Sequence, residues 1–160
     1  MTRSATLDAF ADLSAALTGF DAAHLIGTGN AELFWDLLVE RAGGANAEAL
    51  LTAWTDAVAD AEDEDRALRI AILGDARLGP MARNLIRLWY VGTWRQMPAD
   101  WRAAHAPGLA DGDTIPASRA YTEGLLWPAV GANPPGAKPF GYAMWATPPR
   151  VPSTEGSRDA

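Results

Sequence analysis

Leu78-Gly79-Pro80-Met81-Ala82-Arg83-Asn84-Leu85-Ile86-Arg87-Leu88-Trp89-Tyr90-Val91-Gly92 is the stretch that decides the fold. Leu78, Met81, Ala82, Leu85, Leu88 and Trp89 recur at three- and four-residue steps, the spacing of one helix face. Ile86 and Tyr90 form a second apolar line, with Arg83 and Arg87 between the two. Pro80 suits a first turn, and Gly92 suits a helix end. A helix apolar on two sides is either central in its bundle or shared with another chain; both readings stay open at this point.

The same period runs through the preceding sequence. Leu7, Phe10, Leu13 and Leu17 predict a helix that Gly19 ends, and Asp21 is placed to cap a short following segment. Asn30 is placed to cap a helix carrying Leu33, Phe34, Leu37 and Leu38, closed by Gly43-Gly44. Asn46 then starts a helix with Leu50, Leu51, Trp54, Ala57 and Val58 on one face. The run Asp60, Glu62, Asp63, Glu64, Asp65 reads as a solvated junction whose last acids favour a new helix start. It lacks the ligand spacing of a cation-binding loop.

Composition changes near residue 92. Of 11 prolines only Pro80 precedes that point. Residues 93–160 hold the other ten and one expected helix, about 117–126, yet they keep Trp94, Trp101, Tyr121, Trp127, Phe140, Tyr142 and Trp145. A disordered tail is poor in aromatics, and long structureless stretches are uncommon inside a compact domain. The segment therefore reads as an arm laid on a surface, either its own helices or a partner's. Each large ring buries about 150–250 Å², and a few short helices offer limited area for so many, which favours the partner. The expected fold is mainly α: a bundle of four to five helices over residues 1–92, then an irregular Pro/Gly/aromatic-rich arm over 93–160, the two forming one structural unit.

The 160-residue chain fits one domain or one domain plus an arm. With 20 acids against 13 bases its net charge is −7, which argues against nucleic acid as the main partner. No run approaches the 18 apolar residues of a membrane span. Without cysteine there is no disulfide, thiolate metal site or thiol nucleophile. His24 and His105 stand apart from any patterned acids, and Gly27-Thr28-Gly29 has neither a preceding strand nor the third glycine of a dinucleotide loop. No nucleophile-elbow or phosphate-loop pattern occurs. An enzyme built on an unmarked acid pair is the weakest reading. Twelve of the 13 bases are Arg, and Arg with large aromatics dominates protein–protein contact energies.

Four segments carry a resemblance: Phe10-Ala11-Asp12-Leu13-Ser14-Ala15-Ala16-Leu17-Thr18-Gly19; Ala82 to Gly92; Tyr121-Thr122-Glu123-Gly124-Leu125-Leu126-Trp127-Pro128; and Pro134-Pro135-Gly136 with Phe140-Gly141-Tyr142-Ala143-Met144-Trp145-Ala146-Thr147-Pro148-Pro149. Together they resemble the small, non-catalytic subunit of bacterial FAD-dependent sugar and polyol dehydrogenases of the sorbitol, glucose and fructose type. The resemblance implies an accessory subunit that folds against, stabilises and escorts a large flavoprotein of the glucose–methanol–choline type. It implies FAD in that partner, no cofactor or metal in this chain, and a cytochrome c subunit reached through the large one. Trp89, Tyr90, Trp94, Tyr121, Trp127, Pro134, Pro135, Phe140, Tyr142 and Trp145 are the expected partner-binding residues. Two features depart from the family. Gly136-Ala137-Lys138-Pro139 replaces a region that commonly contains Cys, and the nine residues before Phe10 carry no export signal. The resemblance implies the periplasm, whereas the missing signal leaves the cytoplasm open. The alternative is a free-standing helical binding module whose arm packs on its own core.

Overall fold

The computed structural model describes residues 2–59 and 61–135. The described chain is mainly helical: α1 Arg3–Thr18, α2 Ala22–Gly27, α3 Ala31–Ala42, α4 Gly44–Ala59, α5 Glu64–Ala67, a π-helical segment Leu68–Leu73, α6 Leu78–Val91, α7 Ala99–His105, α8 Ser118–Thr122 and α9 Leu126–Ala129.

Local chemistry sets most of these boundaries. Thr2 caps α1 by accepting from the Ala5 N–H, and Gly19 ends it at φ 76°, a left-handed conformation that an L side chain resists. The Asp21 carboxylate accepts the His24 N–H at 2.7 Å and starts α2. Asp63 does the same for the Arg66 N–H at 2.9 Å, so part of the acidic junction serves as a helix cap. Glu62, Asp63, Glu64 and Asp65 are exposed.

Two boundaries differ from expectation. Asn30 occupies the capping position of α3 in a helical conformation, and its side chain makes no cap bond. Helix α4 begins at Gly44, two residues before Asn46, because Gly43 at φ 91° turns the chain without a loop. Asn46 is thereby drawn into the interior. Its amide donates to the Ala42 carbonyl at 2.6 Å and the His105 carbonyl at 2.8 Å, and its oxygen accepts from Arg77 Nε at 2.7 Å. One buried side chain thus joins α3, α4, α7 and the approach to α6.

Helix α6 lies at the centre, packed against α1, α3, α4, the π-helical segment and α8. Leu78, Met81, Ala82, Leu85, Leu88 and Trp89 are buried, as the apolar stripe requires. The Trp89 ring meets Phe34 edge-on at 4.7 Å and stacks on Phe10 at 6.5 Å, so rings from α1, α3 and α6 share one core. On the second line, Ile86 and Tyr90 are half-buried, and the Tyr90 hydroxyl donates to the Thr18 carbonyl at 2.8 Å. The two-sided apolarity of α6 thus belongs to a central helix.

Candidate partner-binding surface

Residues 93–135 are stitched to the helical body. At Gly92 (φ 71°) the chain turns so closely past α8 that a Cβ there would stand 2.6 Å from the Ala120 carbonyl. Trp94 and Thr114 then form an isolated antiparallel bridge, with N–H···O distances of 2.9 and 3.0 Å. Asn84 on α6 acts as a substitute strand. Its amide donates to the Arg95 carbonyl at 2.6 Å, and its oxygen accepts the Arg95 N–H at 3.0 Å. The Asp111 carboxylate gathers the Trp94 indole N–H at 2.8 Å and the Met97 N–H at 2.7 Å. Asp113 accepts the Gln96 N–H and pairs with Arg95 at 2.7 Å. The Trp101 indole N–H donates to the Arg77 carbonyl at 2.7 Å. Further on, the Leu125 N–H donates to the Trp89 carbonyl at 3.0 Å, and Gly124 sits where a Cβ would meet the Tyr90 carbonyl at 2.8 Å.

These contacts change the expected placement of several rings. The sequence reading pointed Trp89 and Trp94 at a partner. They are only 1% and 0% exposed, so both rings belong to the protein's own core. Trp89 is claimed by the Phe10–Phe34 cluster, and Trp94 is held inside by its backbone bridge to Thr114 and its indole bond to Asp111. Trp101, Met97, Ala106, Ala120 and Leu125 join the same core. Between residues 93 and 135 the chain forms α7, α8 and α9 where one helix was expected. Of the remaining expected contact residues, Tyr90 is half-buried against Phe20, with ring centroids 6.2 Å apart, Pro134 is buried and Pro135 is exposed. Phe140, Tyr142 and Trp145 lie outside the described residues.

Tyr121 and Trp127 come together. Their rings meet edge-on at 5.3 Å and 83°, and the Trp127 indole N–H donates to the Tyr121 carbonyl at 2.8 Å, which fixes the pair. Tyr121 remains 43% exposed, and Trp127 is half-buried. Leu126 opens α9 and Val130 caps its end one turn later, at 38% and 63% exposure. Tyr121, Trp127, Leu126 and Val130, on and beside two short helices, are the apolar side chains that this end of the described chain leaves open, a candidate contact surface. Its backbone is held by the Leu125–Trp89 hydrogen bond and by the close approaches at Gly92 and Gly124.

Sequence reasoning did not single out Asn84 or Asp111, and read Asn46 only as a helix start. Asn84 left a signal: a polar residue three positions after Met81 and four before Leu88, in the buried stripe. Asp111-Gly112-Asp113 carries the residue types of a turn. The described residues contain no group of three His, Cys, Asp or Glu side chains able to hold a metal ion. None of their helices is long and apolar enough to cross a membrane. His24 lies against Phe20 at 5.3 Å and His105 against Trp101 at 5.4 Å, which makes both packing residues. Comparison with protein-family models, with curated proteins and with solved structures finds no match.

Proposed function

We propose that the chain is a non-catalytic small subunit that folds against and stabilises a large FAD-dependent sugar or polyol dehydrogenase subunit. The resemblance of four segments spread from Phe10 to Pro149 suggests the partner class. The single observation that carries the reading is the anchored Tyr121–Leu126–Trp127–Val130 patch, left open after the interior has been filled. Conformational entropy is already lost in such a patch, so less is lost on association.

In this reading the patch, Pro135 and the chain beyond it lie against the flavoprotein. A permanent interface of this kind buries more than about 2,000 Å² in total. Binding to the folded flavoprotein alone stabilises it by mass action, so the large subunit holds its flavin-competent conformation more of the time. The flavin, the hydroxyl oxidation and transfer of electrons to a cytochrome c subunit all belong to partner chains. An escort role in export would be additional. The test is expression of the large subunit with and without this chain. Flavin-poor or insoluble large subunit in its absence supports the role; equal yield, flavin content and activity remove it.

A second reading draws on a specific observation. Trp94, Met97, Trp101 and Leu125 are buried in the chain's own core, as a free-standing helical binding module would require. Sedimentation of the purified chain separates the two. A sharply melting monomer indifferent to the flavoprotein supports the module, and poor solubility relieved by co-expression supports the subunit.

A further inference from the structure

A groove of about 930 Å³ runs between α1 and α4, and none of Tyr121, Leu126, Trp127 and Val130 lines it. Its cause is legible in α1. Ala5, Ala9, Asp12 and Ala16 recur at steps of four, three and four residues, so the outward side of α1 beside α4 is built of short side chains. The edge of α4 beside it carries the exposed Thr55 and the half-buried Val58, while Trp54 beneath them is buried in the core. Phe20 closes one end. From Ala5 to Phe20 the wall is about 22 Å long at 1.5 Å per residue, the length of about four turns of a second helix.

The rim has one sign. Asp8, Asp12, Asp21 and Glu64 line the groove, and no Lys, Arg or His does. All four are exposed. The Asp21 carboxylate serves as a helix cap. None of the four forms an ion pair among the described residues. A narrow apolar floor under an anionic rim selects its occupant by charge and shape. A bulky neutral helix would not fit over small side chains as closely, and an acidic one would be repelled.

We propose that the α1–α4 groove docks a cationic amphipathic helix of a protein partner. The helix would present small and apolar residues to the half-buried Ala9, Ala16, Phe20 and Val58, and Lys or Arg to Asp8 and Asp12. The proposal is independent of the flavoprotein reading. It needs only a partner helix of this chemistry, and it uses none of the patch residues.

The probe is a synthetic, fluorescein-labelled 16-residue helix with an Ala/Leu face flanked by Lys at four-residue spacing. Binding to the full chain is read by anisotropy at low and moderate salt. The expected result is saturable binding that weakens with salt. It should beat a scrambled peptide of identical composition by at least about tenfold, because scrambling keeps the charge and destroys the face. Asp8→Asn with Asp12→Asn should lower affinity about tenfold, as loss of two exposed charge pairs implies. The control pair Glu40→Gln with Glu62→Gln removes the same charge elsewhere and should leave affinity unchanged. Asp8→Lys with Asp12→Lys should reject the Lys peptide and accept its Glu counterpart. Circular dichroism confirms that each variant folds. Equal binding of scrambled and patterned peptides, or indifference to the Asp8/Asp12 changes, would overturn the proposal. A large affinity gain on removing residues 136–160 would also overturn it, by making this chain's own segment the occupant.

Discussion

Replacing Trp94 by Phe probes whether residues beyond 92 belong to the fold, because it removes one hydrogen bond and part of one fully buried ring. The indole N–H donates to the half-buried Asp111 carboxylate at 2.8 Å, and a bond to a charged acceptor contributes about 1.5–3 kcal/mol. Solvent can reach Asp111 and re-pair its oxygen, which places the loss at the lower end of that range. The smaller ring leaves a void costing about 1 kcal/mol or more. Trp94→Phe should therefore destabilise by about 2–4 kcal/mol. Trp94→Ala adds loss of the ring, about 3–5 kcal/mol, and approaches the whole stability of a small domain, about 5–15 kcal/mol. Asp111→Asn keeps the shape and weakens the acceptor. Combined with Trp94→Phe it should cost less than the sum of the two changes, since both break the same bond. Urea unfolding followed by far-ultraviolet circular dichroism measures all four variants. A Trp94→Phe midpoint matching the wild type, with stability within about 0.5 kcal/mol, would refute the core placement of this ring.

Other substitutions test neighbouring contacts. Gly92→Ala forces a Cβ to within 2.6 Å of the Ala120 carbonyl at positive φ, and should cost at least about 2 kcal/mol; Gly108→Ala, with φ 80° and open space, should cost only about 1 kcal/mol, both by thermal melting. Asn46→Ala strands the His105 carbonyl and Arg77 Nε and should cost about 2–3 kcal/mol in urea unfolding. Trp127→Ala with Leu126→Ser, by contrast, should cost only about 1–2 kcal/mol, the loss of one indole hydrogen bond and a half-buried ring contact, and abolish co-purification with a large flavoprotein subunit, because neither side chain is fully buried and both lie on the open patch.

The helical half of the molecule was legible because helix chemistry is local. The stripes on α1, α3, α4 and α6 follow the 3.6-residue period, and Gly19, Asp21 and Gly92 mark their boundaries through backbone conformation or a single cap bond. What lies beyond Gly92 was harder, since its order comes from contacts between distant residues. Asn84 holding the Arg95 backbone, and Asp111 joining Trp94 to Met97, have no periodic signature. Prolines on both sides also obscured α7, although Pro98 before it and Asp100 in its first turn suit a helix start. The π-helical turn at Leu68–Leu73 was likewise unforeseen, because a shift from four- to five-residue bonding leaves no mark on composition. As a result, ring counting overstated the aromatics available to a partner: Trp94 and Trp101 were sheltered at home, whereas Tyr121 and Trp127 kept open faces.

The most direct measurement is size-exclusion chromatography of this chain co-expressed with a large FAD-dependent sugar dehydrogenase subunit from its own host, with absorbance followed at the protein and flavin bands. A single yellow species containing both chains is predicted, lost when Trp127→Ala and Leu126→Ser are introduced together into an otherwise folded chain. Elution of this chain alone, beside a flavin-loaded and fully active large subunit, would contradict the account.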